Sequence, residues 1–176
     1  RSAGHPLLIA GGGACVNPEP VAPFFDLFVI GDGEEVVSDI SRIVLQAKED
    51  QKSKPEILAQ LGDLPGIYVP APFHRTDMEP PRVEKRVRVD LNAAQPPAAQ
   101  IVPYGQAVHD RLTLEIARGC TRGCRFCQAG MTMRPVRERS LPRLDEQLQA
   151  GLDGTGFEEI SFLSLSTGDY SQLEAL

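Results

Sequence analysis

Three cysteines within eight residues most restrict what this chain can fold into. They lie in the segment ARGCTRGCRFCQAG, at Cys120, Cys124 and Cys127. A C-x₃-C-x₂-C spacing on one short loop offers three thiolates to one inorganic centre. A four-iron cube held by only three cysteines keeps one iron without a protein ligand. The spacing therefore predicts a metal site with an open position, where chemistry would take place.

Two other readings of the cysteines stay open. A structural zinc site normally takes four ligands from paired Cys or Cys/His units, and the nearest histidine, His109, lies on the far side of a predicted strand. A disulfide with one spare thiol suits a secreted protein, and no signal peptide marks this sequence. The fourth cysteine, Cys15, is expected to be a small buried residue rather than a ligand.

The cysteine segment resembles the signature of the radical S-adenosylmethionine enzymes. Phe126 directly precedes the last cysteine, where that family usually has an aromatic residue, and Gly119 and Gly123 suit a loop that wraps closely around a cluster. The resemblance implies a 4Fe-4S cluster held by the three cysteines, with S-adenosylmethionine on the open iron. It also implies an electron donor such as flavodoxin or ferredoxin, reductive cleavage to a 5′-deoxyadenosyl radical, and Phe126 packed at the adenine side.

The first third of the sequence predicts an α/β domain. Apolar runs that end in glycine turns alternate with helical patterns, which is the order of a doubly wound, Rossmann-like sheet. The apolar spacing over residues 34–49, with acids at the start, is typical of an amphipathic helix. The expected elements are a buried strand at 6–10, a helix at 17–25, a strand at 26–30, and helices at 34–49 and 55–64.

The stretch GGGACVNPEPVAPFFDLFVIGDGEEV resembles the end of the cobalamin-binding-like domain that precedes the radical domain in one group of these proteins. In such domains a glycine pair lies beside the nucleotide tail of the cofactor, and Gly11 and Gly12 match that pair. The D-x-H-x-x-G loop that would supply an axial histidine is not in this sequence, and His5 does not fit it. Cobalamin therefore stays an open expectation.

The second half of the sequence predicts the opening of a β/α barrel. A strand beginning at Arg111 runs into the cysteine loop, Ser140 is expected to cap a helix over 141–152, and a second strand covers 158–165. The predicted domains are 1–64, the end of the cobalamin-binding-like domain; 65–110, a proline-rich connection extended at 83–89; and 111–176, a truncated radical domain. The resemblance implies a barrel of about six strand–helix units, of which this sequence supplies two. We therefore expect a fragment that is catalytically incomplete, because so few strands cannot exclude water from a radical.

A turn after the second strand completes the candidate site. In the radical family a glycine-rich loop at this place meets the amino group of S-adenosylmethionine through its backbone. Thr167, Gly168 and Asp169 stand there, as TGD where many members have GGE. The resemblance therefore concerns backbone positions more than side chains.

The distribution of charge does not decide whether the protein binds RNA. The net charge of −6 argues against a protein that coats nucleic acid, yet residues 118–143 hold seven arginines against one acid, Glu138. These arginines would balance an anionic cluster or face RNA. The wider group includes methyltransferases and methylthiotransferases, so methyl or methylthio transfer to RNA or protein is one alternative; a non-catalytic iron–sulfur or zinc module is another. The cysteine usage and the absence of a long apolar run predict a cytoplasmic protein that does not enter membranes.

Overall fold

The computed structural model describes residues 5–70, 79, 81–97, 100–105 and 107–176. The chain is a mixed α/β protein with small sheets. It divides into two compact units, Arg1–Arg88 and Val89–Leu176, so the segment 65–110 contributes to both. Parts of that segment, 71–78, 80, 98–99 and 106, lie outside the described residues.

The sheet of the first unit has three strands in the order β1-β2-β3. They are β1 (Ile9–Ala10), β2 (Leu27–Val29) and β3 (Ile67–Tyr68), and all three residues of the central β2 are buried. β1 is parallel to β2, as a strand-to-helix-to-strand order favours. β3 is antiparallel to β2 and was not expected, because it lies at the start of the proline-rich segment.

Two helices cover one face of this sheet. α1 (Val36–Glu49) contributes Val36, Ile40 and Ala47 to a buried cluster. The same cluster contains Leu27 of β2 and Ile67 of β3. The helix predicted from the apolar period is therefore confirmed. α2 (Lys54–Gly62) adds Ile57 and Leu61 to the same cluster.

The short helix expected over 17–25 is present, but it is not an α-helix. The structure has two 3₁₀ helices, Gly13–Val16 and Glu19–Phe24. Pro20 and Pro23 lack the backbone N–H that a longer ladder of α-helical hydrogen bonds needs. The second 3₁₀ helix packs Ala22 onto the other face of the sheet, against Phe28 of β2.

Two further expectations for the first unit need correction. The strand expected to be buried at 6–10 lies at an edge, and Ile9 is 42% exposed, because within the described residues only β2 pairs with it. The extended segment at 83–89 forms no strand. A single parallel bridge joins Arg86 to Gly31, in which the Arg86 N–H donates to the Ile30 carbonyl at 2.9 Å.

The second unit is built on a parallel pair of strands. β4 (Leu112–Glu115) and β7 (Ile160–Leu163) pair over four residues, at both positions expected for strands. α4 (Leu141–Thr155) lies between them in sequence and packs on β4. Ser140 is the N-cap residue of this helix, as expected, but its side chain makes no capping hydrogen bond. Its N–H and hydroxyl instead bond the side-chain oxygen of Asn92, at 2.8 and 3.2 Å.

Three short elements follow β4 and were not predicted. They are the antiparallel pair β5 (Ala117–Arg118) and β6 (Arg137–Glu138), and the one-turn helix α3 (Ala129–Thr132) between them. β5 and β6 have two residues each and α3 is a single helical turn, so none of them can show a hydrophobic period. Among the described residues, no helix has the length and apolar composition needed to cross a membrane.

Candidate metal and cofactor site

The cysteine loop is closed at its base by a short ladder. β5 and β6 pair Ala117 with Glu138 and Arg118 with Arg137, so residues 119–136 form one loop that begins and ends at the same place. Gly119 opens the loop at φ +90°, and a Cβ there would lie 2.5 Å from the carbonyl oxygen of Pro135. The returning chain therefore passes close enough to the first residue of the loop to require glycine.

The three cysteines are unpaired thiols with unequal exposure. Cys120 and Cys127 are half-buried and Cys124 is exposed. The Cys127 N–H donates to the Cys124 carbonyl at 3.0 Å, which forms the turn between the last two thiols. Within the described ranges, no three His, Cys, Asp or Glu side chains are arranged to ligate one metal ion.

The donor set still fits a 4Fe-4S cluster. In a cube each cysteine binds a different iron, so the three sulfurs need not converge on one ion as zinc ligands do. Soft thiolates with no hard oxygen ligand among them are also the donors that iron–sulfur clusters select. The residues that would hold the cluster are Cys120, Cys124 and Cys127.

A cavity of about 110 Å³ joins the first cysteine to the turn after β7. Cys120 and Gly119 line it from the cysteine loop, and Ser164, Ser166 and Asp169 line it from the other side. Because β4 and β7 are parallel, the segments that follow their carboxyl ends meet at one edge of the sheet. Two predicted site residues, Cys120 and Asp169, thus contact one cavity.

The other two residues of the TGD turn directly precede Asp169, which lines the cavity. Thr167, Gly168 and Asp169 form a single 3₁₀ turn, Thr167–Asp169. The Thr167 hydroxyl lies 2.8 Å from the Ser164 hydroxyl, and the Asp169 N–H donates to the Ser166 carbonyl at 3.1 Å. These internal bonds give the turn a defined shape.

An ion pair that the sequence analysis missed connects the cysteine loop to this turn. Arg122 Nε donates to Asp169 Oδ2 at 2.6 Å, and Arg122 Nη2 donates to Asp169 Oδ1. The hydrogen bond from Arg122 is the largest cause that lowers the pKa of Asp169, to about 2, and a hydrogen bond from Ser166 adds to it. Two sequence features could have predicted this pair: an arginine between two cysteines, and an acid in the turn after the next parallel strand.

A second ionic group lies directly before the loop. Glu115 accepts hydrogen bonds from Arg118 Nε at 2.6 Å and from Arg139 Nη2 at 2.9 Å. Burial alone would raise the pKa of Glu115, but hydrogen bonds and charge from Arg118 and Arg139 outweigh burial and hold the pKa below its usual value. Arg139 is only 4% exposed, and its Nη1 also donates to the Leu91 and Ala94 carbonyls.

Most arginines of residues 118–143 form hydrogen bonds with groups of the same unit. The structure gives intramolecular partners to six of the seven: Arg118 with Glu115, Arg122 with Asp169, Arg134 with the Gly130 carbonyl, Arg137 with the Pro135 carbonyl, Arg139 with Glu115, and Arg143 with Glu146. A count of positive charges along the sequence therefore overstates the case for an RNA-facing surface.

The remaining candidate residues are exposed. The Phe126 ring is 92% exposed at the surface of the cysteine loop, where it is accessible to a bound molecule. Gly11 and Gly12 belong to the first unit, where they follow β1 as expected and are exposed. A Cβ on Gly11 would lie 3.7 Å from Val29, an ordinary contact.

Comparisons with known proteins relate this chain to a family model and to a curated protein. The family model described as radical SAM proteins, N-terminal, matches residues 1–70. An uncharacterised protein of Methanocaldococcus jannaschii is 28% identical over 171 residues, which cover 96% of this chain and 34% of that protein. The chain thus spans about a third of the length of this relative. No solved structure matches the chain. The family match supports the radical S-adenosylmethionine superfamily.

Proposed function

We propose that this chain is part of a radical S-adenosylmethionine enzyme in which Cys120, Cys124 and Cys127 hold a 4Fe-4S cluster. The observation that carries the proposal is the cavity shared by Cys120 and the turn Thr167–Asp169 at the carboxyl ends of two parallel strands. Active sites of β/α barrels lie at this edge. The family match over residues 1–70, which lies outside the cysteine loop, independently supports the same superfamily.

When bound, such a cluster supplies one electron that cleaves S-adenosylmethionine to a 5′-deoxyadenosyl radical. The chain's own residues bind and orient. The thiols hold the metal, the β5–β6 ladder keeps the loop closed, and the turn Thr167–Asp169 offers backbone groups to the amino group of S-adenosylmethionine. The accessible ring of Phe126 would pack at the adenine side.

The proposed architecture follows the same assignment. Residues 111–176 would be the first βα units of a barrel, which the parallel pair β4–β7 with α4 between them supports. Residues 1–64 would be the end of a Rossmann-like, cobalamin-binding-like domain, and residues 65–110 would connect the two. Gly11 and Gly12 would lie beside a nucleotide tail if cobalamin binds. The substrate is unassigned, and other parts of a longer protein would help to enclose the radical.

The partners of the reaction are also proposals. The electron donor would be a small redox protein such as flavodoxin or ferredoxin. Four free thiols suit a reducing compartment such as the cytoplasm.

The first test is anaerobic reconstitution of the full-length protein with iron and sulfide. We expect about four iron and four sulfide per chain, and 5′-deoxyadenosine after addition of dithionite and S-adenosylmethionine. Cys124→Ala should lower both the iron content and the product, because it removes one of three ligands. Cys15→Ala, which removes a thiol outside the loop, should leave both unchanged.

Two outcomes would contradict the proposal. One zinc per chain with no iron would indicate a structural metal module. An intact cluster that yields no 5′-deoxyadenosine in several preparations would indicate a non-catalytic iron–sulfur protein.

A further inference from the structure

Arg122 lies between the first two cysteines and reaches across to the neighbouring turn. Two of its nitrogens, Nε and Nη2, donate to the two carboxylate oxygens of Asp169. A guanidinium and a carboxylate joined in this way are restricted in angle as well as in distance. The pair therefore links the loop after β5 to the turn after β7 at the cavity that Cys120 lines.

The two ends of this link are held to different degrees. The Asp169 end belongs to a turn with its own bonds, from the Asp169 N–H to the Ser166 carbonyl and between the Ser164 and Thr167 hydroxyls. The following residue, Tyr170, is buried and donates through its hydroxyl to the Arg139 carbonyl at 2.8 Å. The turn is thus anchored in the core of the unit.

The Arg122 end belongs to a loop whose ladder pairs only at its base. That ladder covers two residue pairs, from Ala117 to Arg118 on one strand. Arg122 lies four residues beyond it, between Cys120 and Cys124. The ion pair therefore adds a second attachment point for the part of the loop that holds the thiols.

The exposure of the two side chains indicates that the pair affects the position of the cysteine loop more than the free energy of unfolding. The Arg122 and Asp169 side chains are 60% and 41% exposed. Ion pairs this exposed contribute little to the free energy of unfolding. A bidentate pair between a loop and an anchored turn still limits where the loop can lie.

We infer that Arg122 is a positioning residue, whose guanidinium holds the cysteine loop against the turn Thr167–Asp169 through Asp169. The pair would fix the cluster ligands relative to the turn that binds S-adenosylmethionine, so the inference rests on the proposed function. It also assigns the Asp169 carboxylate to Arg122. The turn then meets the amino group of S-adenosylmethionine through its backbone.

The structural part of this inference is tested without metal. Amide hydrogen exchange of residues 119–128 would be measured in the metal-free full-length protein for Arg122→Gln, Asp169→Asn and the double variant. We expect each single change to speed exchange up to about fivefold, as for the loss of one exposed pair, and the double variant to add nothing further.

The matched control is Arg42→Gln, which removes an arginine from an exposed pair with Asp39 in the first unit and should leave exchange of residues 119–128 unchanged. Additive effects of the two single changes, or no change in exchange, would overturn the inference.

The functional part is tested in the reconstituted enzyme, with the iron content of each variant measured and rates expressed per cluster. Because the pair positions the loop, Arg122→Gln should raise KM for S-adenosylmethionine about tenfold, with kcat for 5′-deoxyadenosine changed less. Arg122→Lys should restore part of the loss, since lysine keeps the charge but not the bidentate geometry. A lower iron content with unchanged KM would indicate a merely structural role and overturn the inference.

The two proposals fail in different ways. If wild-type protein forms no 5′-deoxyadenosine, the proposed function fails, and the role of Arg122 in S-adenosylmethionine binding fails with it. If wild-type protein is active and the variants match it in exchange and KM, only the inference about Arg122 fails.

Discussion

Glu115 is the last residue of β4 and lies between two guanidinium groups. Arg118 and Arg139 both donate to its carboxylate, and Arg139 also donates to the Glu115 carbonyl at 2.9 Å. The arginines hold the pKa of Glu115 below its usual value although burial opposes them. The ionised carboxylate therefore contributes to the stability of the strand end from which the cysteine loop leaves.

The sign of the pH dependence follows from this lowered pKa. The stabilising contribution is complete above the ordinary glutamate value of 4.5 and is lost as the pH falls through the lower value of the folded state. Glu115→Gln should destabilise the second unit by about 1–3 kcal/mol at pH 7, and by less at pH 3. Urea unfolding of the full-length protein at each pH, monitored by amide exchange in β4, measures the loss in free energy of unfolding at pH 7 and at pH 3.

A control with an exposed pair distinguishes Glu115 from a general loss of charge. Glu146 pairs with Arg143 on α4 and its side chain is 66% exposed, so Glu146→Gln should cost less than about 0.5 kcal/mol. An equal effect of Glu115→Gln at pH 7 and pH 3 would count against the assigned role.

At the scale of elements, the closure of the cysteine loop depends on its first residue. Gly119 has φ +90°, and an added Cβ would lie 2.5 Å from the Pro135 carbonyl oxygen and 2.6 Å from that of Met133. Gly119→Ala should therefore weaken the closed loop by about 2 kcal/mol or more. We expect the reconstituted full-length variant to retain less iron than wild type, as measured by metal analysis.

The comparison residue is Gly154 in α4. A Cβ there meets no atom within 4 Å. Gly154→Ala should stabilise the helix by about 1 kcal/mol and leave the iron content unchanged. Full iron retention in Gly119→Ala would show that the loop tolerates a different path.

At the scale of the whole molecule, the two units have separate hydrophobic clusters. Leu61 is fully buried in the cluster beneath α1 and α2, whereas Ile116, Leu144 and Tyr170 form a cluster of the second unit. Leu61→Ala should destabilise the first unit by about 2–5 kcal/mol. We expect amide exchange to rise in β2 and α1 of the full-length protein, while protection in β4 and α4 stays at the wild-type level.

The control for this change is Leu45→Ala, since Leu45 lies on α1 and is 63% exposed. It should alter the free energy of unfolding by about 0.5 kcal/mol or less. Equal loss of protection in both units with Leu61→Ala would mean that they unfold as one.

The accuracy of the sequence predictions varied with the length and periodicity of each element. α1 was predicted because its apolar period extends over four turns, and β4 and β7 because their apolar runs end in recognisable turns. β3, β5 and β6 each have two residues and, unlike the two-residue β1, do not end a longer apolar run, so no pattern indicated them. The proline-rich helix after the first turn was predicted at the right place, but missing N–H donors changed its type to 3₁₀.

For this protein the sequence by itself determined the donor chemistry and its place in the chain. Thiol spacing is a local property, so Cys120, Cys124 and Cys127 could be assigned to one loop after one strand. Only the tertiary structure decided which distant groups meet that loop. The pairing of Arg122 with Asp169 joins residues 47 positions apart and depends on β4 and β7 lying parallel, so that their carboxyl ends share an edge. Local sequence cannot indicate such a contact, because it forms only when the strands pair and the elements pack.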